Sequence, residues 1–172
     1  MSDFNDQPYS HEVLRGLRKL VDSYPGDRML VGEVNIRSTE RVLQYYGAGD
    51  ELHLAFNFNP LDAPWDPVLF RTCIREVEHW LQPAGAWPTW VLSNHDNVRQ
   101  RSRYQGSERA ARAAAVLLLT LRGTPFIYQG EELGLPEAEL TRTELRDPVG
   151  DLYWPIAKGR DGARTPMPWR AD

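Results

Sequence analysis

Short apolar runs rich in branched and aromatic residues recur along the chain, each separated from the next by a segment of helical periodicity. MLVGEV (29–34), LHLAFNF (52–58), WPTWVLSN (87–94) and TPFIYQG (124–130) read as strands. Before the first run, His11 to Tyr24 places Val13, Leu14, Leu17, Leu20 and Val21 at helical spacing and then breaks at Pro25-Gly26. Ser38 and Glu40 stand where a helix cap and a first-turn acid belong, with Gly47 closing that short helix. Asp66 to Gln82 repeats the helical pattern through Leu69, Phe70, Cys73, Val77, Trp80 and Leu81. Residues 107–123 repeat it again, with Ser107 as cap and Gly123 as stop. No Asn-Gly type turn joins two strands, so alternation of this kind predicts parallel strands linked by crossover helices. The MLVGEV strand, apolar throughout, is expected to be buried on both faces.

Two α/β architectures accommodate four such strands: an open doubly wound sheet, or part of a (β/α)₈ barrel. Both place function at the carboxyl ends of the strands. Those ends turn polar here. Glu33 lies near the end of the first strand, Asn57 and Asn59 end the second, Asn94-His95-Asp96 the third, and Gln129, Glu131 and Glu132 the fourth. No glycine-rich phosphate loop follows any of them, which argues against nucleotide binding on an open sheet. Beyond Leu133 the character changes, with Pro136, Pro148, Pro155, Pro166 and Pro168 scattered among charged residues. This tail is expected to be loop-rich.

The net charge of −4 over 172 residues argues against a nucleic-acid partner, because affinity for phosphate comes from clustered Lys and Arg. Cys73 is the single cysteine, which excludes a disulfide framework within the sequence. No stretch approaches the roughly 20 apolar residues of a membrane span, and no basic-then-apolar leader opens the chain. A cytoplasmic protein without a membrane association is the expectation. The four histidines are scattered without ligand spacing, so neither a metal nor another cofactor is expected.

At the level of single residues, functional and structural roles stand side by side. Glu33, flanked by Val31 and Val34, is either a desolvated general acid or a strand-end carboxylate in water. Asp96 beside His95 suits charged, directional hydrogen bonds to hydroxyl groups, or the capping of the next turn. Arg99 is either a clamp on a ligand or a surface side chain. Of the six tryptophans, Trp80 and Trp90 occupy core-facing positions, whereas Trp65, Trp154 and Trp169 lie near prolines in loops and suit a pocket rim.

Taken together and in this order, VGEV, LHLAFNF, VLSNHDNVR, GTPFIYQGEELG and GRDGARTPMPW resemble the second half of the catalytic barrel of the α-amylase superfamily, in its α-glucosidase and oligo-1,6-glucosidase branch. The resemblance covers nearly the whole chain. It implies an α/β fold in which residues 1–134 form half of a (β/α)₈ TIM barrel, strands five to eight with their helices. Residues 135–172 would lead towards a β-rich C-terminal domain. It implies a retaining glycoside hydrolase acting on an α-glucoside or short oligosaccharide, with Glu33 as general acid/base and Asp96 as the carboxylate that stabilises the transition state. His95 and Arg99 match substrate-binding positions, and Arg164 in GARTPMPW is expected at the mouth of the site.

The chain also departs from that pattern. Retaining glycosidases use two carboxylates about 5–5.5 Å apart, one of them a nucleophile. In this family the nucleophile is an Asp in a GFRxD-type motif on the fourth strand, and the sequence contains no such motif. The resemblance therefore implies a fragment that needs an N-terminal half-barrel for closure and is inactive alone. A transglycosylating or isomerising relative, of the sucrose- or trehalose-converting kind, and a non-catalytic structural homologue are the alternatives.

Overall fold

The computed structural model describes residues 6–170. Its elements follow the predicted alternation. The order is α1 (Pro8–Asp22), β1 (Val31–Gly32), α2 (Thr39–Gln44), β2 (Leu54–Ala55), α3 (Asn59–Asp62), α4 (Pro67–Leu81), β3 (Thr89–Val91), α5 (Gln100–Arg103), α6 (Glu108–Thr120), β4 (Thr124–Phe126) and α7 (Pro148–Tyr153). Short 3-10 turns lie at Arg142–Glu144 and Asp161–Ala163.

The chain divides into two compact units. The first comprises residues up to 62, with 68–90 and 122–124; the second comprises 63–67, 91–121 and everything from 125 onward.

In the first unit β1 and β2 pair in parallel, Val31 with Leu54 and Gly32 with Ala55. The Phe56 N–H extends the ladder by donating to the Gly32 carbonyl at 2.9 Å. Leu54 and Ala55 are buried, as are Tyr46 from the turn after α2 and Leu61, Phe70, Val77 and Leu81 from α3 and α4. Thr89 at the start of β3 is fully buried and donates its hydroxyl to the Ala55 carbonyl at 2.6 Å, which satisfies a polar group that would otherwise be costly to bury. The Tyr46 hydroxyl ties two further segments, accepting from the Ala55 N–H at 3.2 Å and donating to the Trp87 carbonyl at 3.0 Å.

The predicted strands are present but shorter than the apolar runs. Among the described residues they form two sheets of two strands, β1 with β2 and β3 with β4. The physical reason is pairing: a strand is held by hydrogen bonds to its neighbours, and each strand here has one neighbour. The same fact corrects the expectation of a first strand buried on both faces. Val31 is 38% exposed and Met29 61%. The α1 helix likewise buries none of its residues, although Val13, Leu17 and Leu20 form the expected apolar stripe.

Caps fall where the sequence places them. Ser38 accepts from the Arg41 N–H at 3.3 Å and Ser107 from the Ala110 N–H at 3.2 Å, each contributing about 1 kcal/mol to helix stability. In the second unit the small residues Ala110, Ala111 and Ala114 of α6 are buried together with Leu118, Tyr104 and Leu145. The tail is not wholly irregular: Asp147 caps α7, accepting from the Val149 N–H at 3.1 Å, with Pro148 at the first helical position.

Candidate active site

The polar end of the third strand is built by a local turn. After buried Val91, Leu92 and Ser93, the Asn94 side-chain oxygen accepts from the Asp96 N–H at 3.0 Å and from the Asn97 amide at 2.9 Å. Such an Asx turn reverses the chain and leaves the next side chains pointing outward. His95 and Asp96 are accordingly exposed, while Asn94 below them is half-buried.

Asp96 is held by two guanidinium groups from the tail. Its Oδ1 accepts from Arg160 Nη1 at 2.9 Å and from Arg164 Nη2 at 2.7 Å, and its Oδ2 lies 3.4 Å from His95 Nε2. Arg164 also donates from Nε to the His95 carbonyl at 2.8 Å, so one side chain bridges both residues of the pair. Partial burial pushes the Asp96 carboxyl up, but the Arg160 hydrogen bond, the His95 charge and the Arg164 hydrogen bond outweigh it and hold the group below the usual carboxylate range. Asp96 is therefore an ionised acceptor with a fixed orientation.

Arg160 is in turn held by Asp147. The buried Asp147 carboxylate accepts from Arg160 Nε at 2.7 Å and from the Arg160 N–H at 3.0 Å. The Arg160 side chain and then the Val149 N–H bring its pKa down to about 2. Asp161 Oδ2 accepts from the Arg146 and Asp147 N–H groups at 2.6 and 2.7 Å, closing the loop on itself. Gly159 has φ +68, and a Cβ there would lie 2.9 Å from the Gly150 nitrogen and 3.0 Å from Asp147 Cβ, so only glycine brings Arg160 this close to Asp147.

Arg99, expected at the substrate, is buried at 2% exposure. Its Nη1 donates to the Gln129 carbonyl at 2.7 Å and its Nη2 to the Ala163 carbonyl at 2.9 Å, with the Tyr128 ring 5.1 Å below the guanidinium carbon. Both terminal nitrogens are thus spent on backbone, and in this structure Arg99 braces the YQGEELG and GRDGARTP segments. Nearby Glu131 accepts from the Tyr128 N–H at 3.0 Å through Oε2, while its buried Oε1 has no partner. Burial pushes this carboxyl up to about 7 against the Tyr128 hydrogen bond, the Arg103 charge and the Ser93 hydroxyl.

Glu33 belongs to the first unit. It follows β1 directly, is exposed, and lines a cavity of about 460 Å³ with Tyr9, Ser10, Asn35 and Tyr45. Of the loop tryptophans, Trp65 stacks on Tyr104 at 4.8 Å between ring centroids and lines a second cavity of about 520 Å³, and Trp169 is almost fully exposed. Trp154 carries the Lys158 ammonium 5.8 Å over its ring. Trp90 is buried, as its strand position predicts; Trp80 is only half-buried. No group of three or more His, Cys, Asp or Glu among the described residues is placed to hold a metal ion, and no described helix is long and apolar enough to cross a membrane.

The model for the alpha amylase catalytic domain matches residues 1–172. The chain belongs to the α-amylase family. Within the family, a probable alpha-glucosidase of Rhizobium meliloti (strain 1021) is 41% identical over 174 residues, covering 96% of this chain and 31% of the relative. Maltase A1 of Drosophila melanogaster is 32% identical over 179 residues, again covering 96% of this chain and 30% of that protein. The crystal structure of an alpha-glucosyl transfer enzyme superposes with a TM-score of 0.82 at 41% identity, over 95% of this chain and 30% of that one. The chain thus spans less than a third of the length of these family members.

Arg160 and Asp147 were not singled out by sequence reasoning. The Asp147-Pro148 pair carries a helix-start signal, and Arg160 shares the GRDGARTP stretch with Arg164, but nothing in their spacing announces that they converge on Asp96.

Proposed function

We propose that this chain is part of a retaining α-glucosidase that hydrolyses α-glucosidic bonds of short oligosaccharides, and that it supplies two of the three carboxylates the reaction uses. The observation that carries the reading is Asp96: an exposed, ionised carboxylate at the end of a strand, oriented by two guanidinium groups beside His95, within a chain of this family. An ionised carboxylate and an imidazole side by side suit paired sugar hydroxyls, and charge-assisted hydrogen bonds of this kind strengthen as positive charge develops on the sugar ring. His95 serves as the neighbouring contact to the same hydroxyls, and Arg164 acts from the mouth of the site.

Glu33 is assigned as the general acid/base. It donates its proton to the leaving glycosidic oxygen as a nucleophilic Asp bonds to the anomeric carbon, and it then removes a proton from the water that releases the sugar. The nucleophile comes from residues outside these 172, in the GFRxD-type motif of the family's fourth strand. In this reading residues 1–134 supply strands five to eight of the (β/α)₈ barrel, and residues 135–172 lead towards a C-terminal β domain. The exposed α1 stripe and Val31 support it, as surfaces that an N-terminal half-barrel would cover. Arg99 acts by bracing the loops around Asp96.

A second reading, transfer of a glucosyl group to an acceptor sugar instead of to water, is favoured by the 41% identity to the alpha-glucosyl transfer enzyme. Product analysis with sucrose or maltose as donor separates the two. The isolated chain is expected not to hydrolyse p-nitrophenyl α-glucoside; hydrolysis that disappears in Glu33→Gln would mean that the chain already holds a complete site.

A further inference from the structure

Leu30 enters β1 with both of its backbone groups bonded to the start of β2. Its carbonyl accepts from the His53 N–H at 3.1 Å and from the Leu54 N–H at 3.2 Å, while its own N–H donates to His53 Nδ1 at 3.0 Å. The imidazole thus stands in for a strand carbonyl where the parallel pair begins, and Glu33 follows directly after that strand. A ring nitrogen that accepts a hydrogen bond carries no proton, so this contact exists only with neutral His53, its proton on Nε2. Nε2 lies 3.9 Å from Asp22 Oδ1, and Arg18 Nε holds the Asp22 carboxylate at 3.0 Å at the end of α1. The ring therefore stands between two partners: a backbone donor that needs it neutral and a carboxylate that favours it charged.

We propose that His53 is an acid-sensitive latch on β1. Neutral, it holds the Leu30 N–H; protonated, it releases that N–H and turns to Asp22, which loosens the entry to the strand that leads to Glu33. The consequence for catalysis rests on the reading of Glu33 as general acid/base. Among the described residues, the charged groups that face His53 are Arg18 and Asp22, both from α1. Burial and then the Arg18 charge hold the imidazole below its ordinary value, against the pull of Asp22. Folding thus favours the neutral ring. Its contribution is present above the ordinary imidazole value and is lost as pH falls through the lower folded one.

The experiment is nitrogen-15 NMR of the 172-residue chain from about pH 8 to about pH 5, the range in which imidazoles titrate, following the His53 ring nitrogens and the Leu30 amide. At the upper end Nε2 is expected to carry the proton and Nδ1 none. As the ring titrates, the Leu30 amide signal is expected to move with the same midpoint. Its protection against hydrogen exchange is expected to fall relative to that of the Phe56 amide, which the same strand pair holds through the Gly32 carbonyl. Asp22→Asn is expected to lower the midpoint, because the charged ring loses its carboxylate. His53→Asn puts an amide oxygen at the reach of Nδ1, so it is expected to keep Leu30 protected without pH dependence. His53→Gln puts that oxygen at the reach of Nε2 and is expected to lose the protection even at the upper end. A proton on Nδ1 at the upper end, or a Leu30 amide that ignores the His53 titration, overturns the latch. Should the His53 variants unfold, a midpoint that stays or rises in Asp22→Asn overturns it equally, and a fall supports it. The underlying reading fails separately: if Glu33→Gln leaves the glucosidase activity of the chain joined to its N-terminal half-barrel intact, the latch does not serve that reaction, whatever the titration shows.

Discussion

Arg99 Nη2 donates to the carbonyl of Ala163 at 2.9 Å, across 64 positions of sequence, and this bond ties the loop after the third strand to the loop that carries Arg160 and Arg164. The same carbonyl accepts from the Tyr128 hydroxyl at 3.0 Å, so three segments meet at one backbone oxygen. The loops that orient Asp96 are therefore tied together by a buried cation.

Arg99→Ala removes the donor from the Gln129 carbonyl and one of the two donors from the Ala163 carbonyl, which keeps the Tyr128 hydroxyl. An unsatisfied buried acceptor costs about 1–3 kcal/mol, so the chain is expected to lose stability in that range. Arg99→Lys rescues little of it, since an ammonium lacks the planar fork that reaches both oxygens. Urea denaturation of the three proteins checks this, and equal midpoints would remove the bracing role.

Gly130→Ala tests the same joint from the other side. Gly130 has φ +87, and a Cβ there would lie 2.9 Å from Arg99 Nη1 and 2.5 Å from Leu135 Cδ1. Left-handed strain in a non-glycine residue costs about 1–3 kcal/mol before any displacement of Arg99 is counted. A lowered melting temperature is expected, with a smaller further loss when Arg99→Ala is added, because neighbouring sites are not additive.

Glu131 sets a pH dependence near neutrality. Its folded pKa of about 7 lies above the ordinary carboxylate value, so the folded state binds the extra proton. Its contribution is fully present below the unfolded pKa and is lost as pH rises through about 7. The difference corresponds to roughly 3 kcal/mol. Denaturation at pH 5 and pH 8 is expected to show lower stability at the higher pH, and Glu131→Gln is expected to flatten that slope. A slope unchanged by the substitution would assign the pH dependence elsewhere.

Asp147 sets the acid limit with the opposite sign. Its folded pKa is depressed to about 2, so its contribution is present above the unfolded carboxylate value and lost as pH falls from about 4 through 2. Asp147→Asn is expected to lower stability at pH 6 and to weaken its dependence on acid, as read by circular dichroism during acid titration.

The alternation of helix and strand was legible because hydrophobic period and cap residues are local properties: Ser38, Ser107 and the α4 helix fall where the sequence places them. Strand length was not, because it depends on partners across the sheet; Val31 is branched and apolar yet exposed beside a single neighbour. His95 and Asp96 were legible as the polar end of a buried strand. Arg99 stood out in the sequence, but its burial was not legible there, since it rests on carbonyls 30 and 64 positions away. Asp147 and Arg160 escaped notice for the same reason: their roles are defined by contacts that close only in three dimensions.

We propose that Glu33 and Asp96 serve one α-glucosidase reaction once a nucleophile is supplied. The direct measurement is hydrolysis of p-nitrophenyl α-glucoside by this chain joined to the N-terminal half-barrel of the Rhizobium meliloti relative. Activity is expected in the joined protein and not in the chain alone, with a loss of roughly 100-fold or more in Glu33→Gln and a comparable loss in Asp96→Asn. An active joined protein whose rate is unchanged by either substitution would contradict the account.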